Sequence, residues 1–160
     1  MITKISLTFL ALGGLVFTGT ASLADDVSDA AAKGKAKFVL CGACHGMTGT
    51  GQPAPGIQMA ANFLESEILK GDPKISALVL FKGIKKENPA EFMGQMMLPL
   101  GASMSDDDIA NIITYVRSEF GKVNELTTSA QVAEWRKNLA NAAQPSRAEL
   151  EKMAESSKKE

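Results

Sequence analysis

Both cysteines and the only histidine of this 160-residue chain fall within five positions, Cys41-Gly42-Ala43-Cys44-His45. Whatever fold forms must present two thiols and one imidazole at one point, and what those groups can do depends on the compartment. The amino terminus speaks to that. Lys4 precedes an apolar run from Ile5 to Phe17, and Ser22 and Ala24 stand at the −3 and −1 positions of a cleavage site before Asp25-Asp26. This is the build of a secretory signal peptide over residues 1–24. The run is shorter than the roughly 20 residues that a spanning helix needs; a retained anchor is the alternative. Cleavage removes Lys4 and leaves the chain one unit more negative than its formal −1. A balance so near neutrality carries neither the basic footprint of a nucleic-acid binder nor the charge excess of a membrane-surface protein.

Beyond residue 24 the pattern is helical. Ser28 or Asp29 can cap a helix running toward Cys41, with Ala31, Gly34 and Phe38 on one face. Gly34 costs that helix roughly 1 kcal/mol against alanine, which suggests that another backbone passes close to it. Residues 46–61, rich in Gly and Pro, read as loop. Asn62 and Glu65 give a capping-box-like start to the next segment. Asp72, Pro73 and Gly83 then bracket a helix with a cap, a first-turn proline and a terminating glycine. Residues 84–104 hold two prolines and four methionines without a clean period.

The clearest helix follows Ser105, opens with three aspartates and places Ile109, Ile112, Ile113 and Val116 on one face. Thr128 and Gln131 form a capping box for a further helix with Val132, Trp135 and Leu139 in line. The remainder, 143–160, is a charged tail expected to be flexible or a frayed helix. The expected organisation is a signal peptide (1–24), a main domain (25–124), an additional C-terminal helix (125–142) and the tail. The fold class is all-α, with short helices and long loops. Only 6% of residues are aromatic, so such a domain has few large side chains for a core and would gain from a bulky apolar cofactor.

A C-x-x-C-H motif reads as a c-type haem attachment site. The two thiols add to the haem vinyl groups, and the adjoining histidine turns a ring nitrogen to the iron. A thioredoxin-like redox pair would sit in a βαβ context, and no strand pattern accompanies this one. Structural zinc takes four ligands, and a disulfide over two residues would close a tiny loop and stabilise little. One covalently bound haem c accounts for Cys41, Cys44 and His45 together.

With no second histidine, the other face of the iron falls to methionine, to lysine or to no protein ligand. Met47 is too near His45 to reach that face, and Met153 is in the tail. The cluster Glu91-Phe-Met-Gly-Gln-Met-Met-Leu-Pro99 supplies Met97 as first candidate, with Met96 and Met93 behind it. Met104 abuts a helix cap and is expected to pack. Copper(I) binding by the methionine cluster is the competing chemistry.

Between Ala31 and Leu139 the sequence resembles the class I cytochromes c, especially small monohaem proteins that occur alone or fused to exported dehydrogenases and oxidoreductases. The likeness rests on Gly34 and Phe38 before Cys-Gly-Ala-Cys-His, on Pro55-Gly56-Ile57 after it, and on MMLPLGASMSDDDIANIITYVRSEFG. It implies a cytochrome c fold wrapped around one covalent haem, with the first and last core helices crossing at Gly34 beside Phe38 and Tyr115. It implies that Cys41 and Cys44 carry the haem, that His45 and Met97 are the iron ligands, and that the Pro55 carbonyl accepts a hydrogen bond from His45. Leu98 stands where the family has proline, which leaves the choice among the methionines open.

The function that follows is one-electron transfer in the periplasm, between a dehydrogenase or other donor and an oxidase or reductase. The competing reading is a haem enzyme or gas sensor with an open distal site. Lys33, Lys35 and Lys37, and separately Lys82, Lys85 and Lys86, make either a basic docking rim or an ordinary solvated face. Membrane contact is expected only if the signal segment is retained.

Overall fold

The computed structural model describes residues 23–158. The expected export segment therefore lies almost wholly outside the described residues. Within them are five α-helices: α1 (Leu23–His45), α2 (Pro73–Lys82), α3 (Asp106–Glu119), α4 (Ser129–Asn138) and α5 (Arg147–Ser157). No strand occurs among the described residues beyond an isolated bridge between Ala54 and Ile57. The helix before the cysteines starts earlier than Ser28. It already includes Leu23, and Asp25 and Asp26 occupy its first turn, where the helix dipole favours negative charge.

The crossing of α1 and α3 organises the core. A side chain on Gly34 would begin 2.0 Å from the Asn111 carbonyl oxygen and 2.7 Å from the Tyr115 Cβ, so only glycine permits this approach. One turn on, Phe38 is 1% exposed and meets Tyr115 edge-on at 5.3 Å, with Phe120 at 5.6 Å. Burying one such ring contributes about 1.5–3 kcal/mol. The face Ile109, Ile112, Ile113 and Val116 of α3 is buried as its period predicts. Lys37 on α1 pairs with Asp108 on α3 at 2.9 Å and clamps the crossing from the solvent side.

Two arginines tie loops to this frame. Arg117, 2% exposed, donates to the carbonyls of Leu69 (3.1 Å) and Gly71 (2.9 Å) and to Glu125 (3.2 Å). It thereby satisfies a short 3₁₀ turn, Ile68–Lys70, whose carbonyls would otherwise be stranded. Arg136 on α4 donates to Asp106 (2.7 Å) and to the carbonyls of Gly101 (2.9 Å) and Met104 (3.0 Å), and lies over the Phe81 ring. The additional helix α4, capped by Thr128 and Gln131 as its sequence predicts, thus holds the chain that leads into α3.

The carboxyl-terminal segment departs from expectation. Residues 147–157 are helical, and the helix is docked rather than frayed or flexible. Ser146 and Glu149 form a capping box at its start, and Leu150 and Ala154 are fully buried against Ile68, Ile75 and Leu78. Its apolar stripe is only two residues wide, so the segment's charge hides it. A Ser146 hydroxyl three residues before Glu149 is the local signal that marks the helix.

Candidate functional site

Cys41, Cys44 and His45 occupy the last turn of α1, and all three line one cavity of about 360 Å³. That volume lies in the ~300–1,000 Å³ range of cofactor sites. Phe38, Leu69, Leu80, Ile113 and Val116 contribute apolar wall from α1, α2, α3 and the 3₁₀ turn. Both cysteines are free thiols. Burial pushes the Cys41 thiol up from its ordinary range, the neighbouring Cys44 adding to that and a backbone hydrogen bond opposing it. A buried neutral thiol fits covalent attachment better than metal coordination, which wants the thiolate; no cluster of His, Cys, Asp and Glu able to hold a metal ion occurs among the described residues.

His45 stacks on Phe63 with ring centroids 4.2 Å apart. Burial lowers its pKa to about 4, the backbone of Ala61 counteracting and the charge of Arg147 adding to the shift. The ring is therefore neutral at physiological pH, the form in which imidazole ligates iron. Its Nδ1 is buried and has no hydrogen-bond partner.

In this structure the expected Pro55 acceptor makes no hydrogen bond to His45 Nδ1. Pro55 is exposed and does not line the cavity. The loop explains this: Gly51 N–H donates to the His45 carbonyl at 2.8 Å, and the N–H groups of Met59 and Ala60 return to the Gly51 carbonyl. Residues 59–61 are thereby folded against the motif, and the Ala61 backbone bears on the imidazole.

Of the candidate methionines, Met96 and Met97 both line the cavity, and Met93 does not. Met93 and Met96 are exposed, whereas Met97 is half-buried and packs against the main core. Its backbone is fixed as well. The Met97 carbonyl accepts from Ile84 N–H at 3.0 Å and lies where a side chain on Gly83 would fall, 2.2 Å from its Cβ position. Gly83 has φ +71°, a conformation that glycine adopts without strain, and this lets the chain leaving α2 run beside Met97. Met104 packs against the core, as expected. Met59, from the loop after the motif, also lines the cavity.

Lysines are distributed unevenly about the opening. Lys85 and Lys86 line it, Lys37 is engaged with Asp108, and Lys82 donates to the Ala140 carbonyl. The sequence reading missed Ser76, Phe92 and Arg147, which also line the cavity.

The wall is largely apolar and brings together two thiols, a neutral imidazole and the thioethers of Met59, Met96 and Met97, a set that fits a bulky apolar cofactor. No curated protein and no solved structure matches the chain. The model of the family described as Cytochrome c matches residues 31–119, more than half of the chain and the segment from Ala31 within α1 to the end of α3. The chain belongs to the cytochrome c family, as an all-α, haem-based electron carrier that binds haem c covalently and exchanges electrons with redox partners.

Proposed function

We propose that the chain is an exported, periplasmic one-electron carrier whose haem is joined to Cys41 and Cys44 and ligated by His45 and Met97. The observation that carries this reading is the presence of both thiols, His45 and Met97 on the wall of one largely apolar cavity. Haem supplies an iron that takes up or gives up a single electron. The protein's part is to tether it through the thiols, keep the His45 imidazole neutral by burial, exclude water with the side chains around Phe38 and Ile113, and present the Met97 thioether. A thioether favours the ferrous state and raises the potential relative to a second histidine. Were His45 and Met97 both to hold the iron, no ligand position would be left for a substrate.

Export rests on residues 1–24. No helix among the described residues is long and apolar enough to cross a membrane. A dehydrogenase or similar oxidoreductase is the proposed donor, and an oxidase or reductase the acceptor.

Replacing Met97 tests the ligation. Met97→Ala is expected to give a high-spin spectrum and a lower midpoint potential, while Met96→Ala leaves both unchanged. A Met97→Ala protein with the wild-type spectrum would move the ligand to Met96 or Met93. Fast, tight carbon monoxide binding by the ferrous wild-type protein would contradict a closed distal site and favour an enzyme or sensor.

A further inference from the structure

Arg147 lies beyond the residues that match the family, yet it lines the same cavity as the cysteines and His45. Helix α5 brings it there. Leu150 and Ala154 seat the helix on Ile75 and Leu78 of α2, and Arg147 stands one turn before Leu150, as the first residue of α5. The entry to α5 is bonded to the segment that covers the cavity: Arg147 N–H donates to Glu87 at 3.2 Å, and Lys85 N–H donates to the Pro145 carbonyl at 2.8 Å. The guanidinium lies 5.5 Å from the centre of the Phe92 ring. It makes no hydrogen bond among the described residues, and its pairing with Glu151 spans 3.9 Å.

A second donor faces the same space. Ser76 on α2 is 7% exposed, and its buried Oγ has no partner. It lines the cavity together with Val79 and Leu80, three and four residues on, so one face of α2 forms that wall. A buried hydroxyl without a partner costs roughly 1–3 kcal/mol, which invites an acceptor from the ligand. The acceptors a haem offers are its two propionate carboxylates. A carboxylate placed against apolar walls is costly unless it is paired and hydrogen-bonded, and a guanidinium fork matches its geometry. The lysines at the opening suit this role less. Lys86 Nζ already donates to the Gly94 carbonyl at 2.6 Å, and the charge of Lys85 acts on Glu149.

We propose that Arg147 binds a haem propionate, with the Ser76 hydroxyl as a second donor, so that the carboxyl-terminal helix α5 completes the cofactor pocket. This rests on the haem reading of the cavity. The test uses the matured, haem-loaded protein, its covalent haem first verified by pyridine haemochrome. Arg147→Gln is expected to shift the propionate bending band in the resonance Raman spectrum and to lower the midpoint potential, because a positive charge that favours the ferrous state is lost. Arg147→Lys should recover part of the potential and not the band position. Ser76→Ala should shift the band alone, and Leu150→Asp, which undocks α5, should reproduce both changes of Arg147→Gln. An Arg147→Gln protein with covalent haem, a docked α5, and unchanged band and potential would overturn the proposal and leave the electron-carrier reading standing. Changes in Leu150→Asp that are absent from Arg147→Gln would overturn it too, by making α5 a cover and nothing more. Wild-type protein without covalent haem would remove the functional reading itself.

Discussion

Gly34 shows how much one residue can determine. Its missing side chain lets α1 lie on the Asn111 carbonyl, and the cysteine motif follows two turns further along the same helix. Gly34→Ala gains about 1 kcal/mol of helix propensity but places a methyl group where the backbone of α3 already is. Overpacking of this kind costs about 1–3 kcal/mol, and at a 2.0 Å approach the upper end is expected, so denaturant unfolding should show a net loss of stability. Arg117 is its polar counterpart. Arg117→Leu would leave the Leu69 and Gly71 carbonyls without their donor and should destabilise by about 3 kcal/mol in the same measurement. The close approach at Gly34 and the placing of Cys41, Cys44 and His45 on one helix turn were legible in the sequence, because each rests on a local pattern; Met97 as the iron ligand is the proposal made above. Arg117, Arg147 and Ser76 were not legible. Their partners and surroundings come from segments far away in the chain, and nothing adjacent to them announces it. How the loop after the motif folds back is set by the hydrogen bonds of Gly51, which spacing alone does not reveal.

Among the elements, α2, α3 and α4 begin at the caps their sequences predict, Asp72, Ser105 and Thr128. The exception is α5, where five charged residues outweigh two buried apolar ones in any compositional reading. Leu150 is fully buried, and truncating such a leucine costs about 2–5 kcal/mol. Leu150→Ala should therefore raise amide hydrogen exchange in residues 147–157 well before the α1–α3 pair is affected. An exposed clamp adds to the docking: Glu67 accepts from Lys158 and Lys70. These hydrogen bonds, Lys158 first, hold the Glu67 carboxyl at about 2, below its ordinary 4.5. A carboxyl lowered in this way contributes fully above pH 4.5 and loses its contribution as the pH falls toward 2. Exchange of the last turn of α5 should rise over that interval, and Glu67→Gln should flatten the response. The clamp is solvent-exposed and screened by salt, so the effect is confined to that turn.

At the scale of the whole molecule, short helices and long loops enclose a cavity whose walls come from α1, α2, α3, the methionine segment and α5. The all-α class was readable from helical periods with no strand pattern beside them, and the scarcity of aromatic residues called for a bulky cofactor in the core. How the carboxyl terminus wraps back to the opening was not readable, because it depends on shape complementarity between α5 and α2 rather than on any motif. The account predicts that removing the cofactor weakens the entire domain: a Cys41→Ala, Cys44→Ala protein, unable to tether haem, should unfold at markedly lower temperature and with less cooperativity than the matured protein.

The central claim is that Cys41 and Cys44 hold haem covalently. The most direct measurement is an absorption spectrum of the exported protein after acid–acetone extraction and reduction in alkaline pyridine. The account predicts haem retained by the polypeptide, with the spectrum of a porphyrin whose two vinyl groups are saturated. Haem that is extracted, or absent from protein made in a host competent to mature such proteins, would contradict it and return Cys41-Gly-Ala-Cys44-His45 to thiol or metal chemistry.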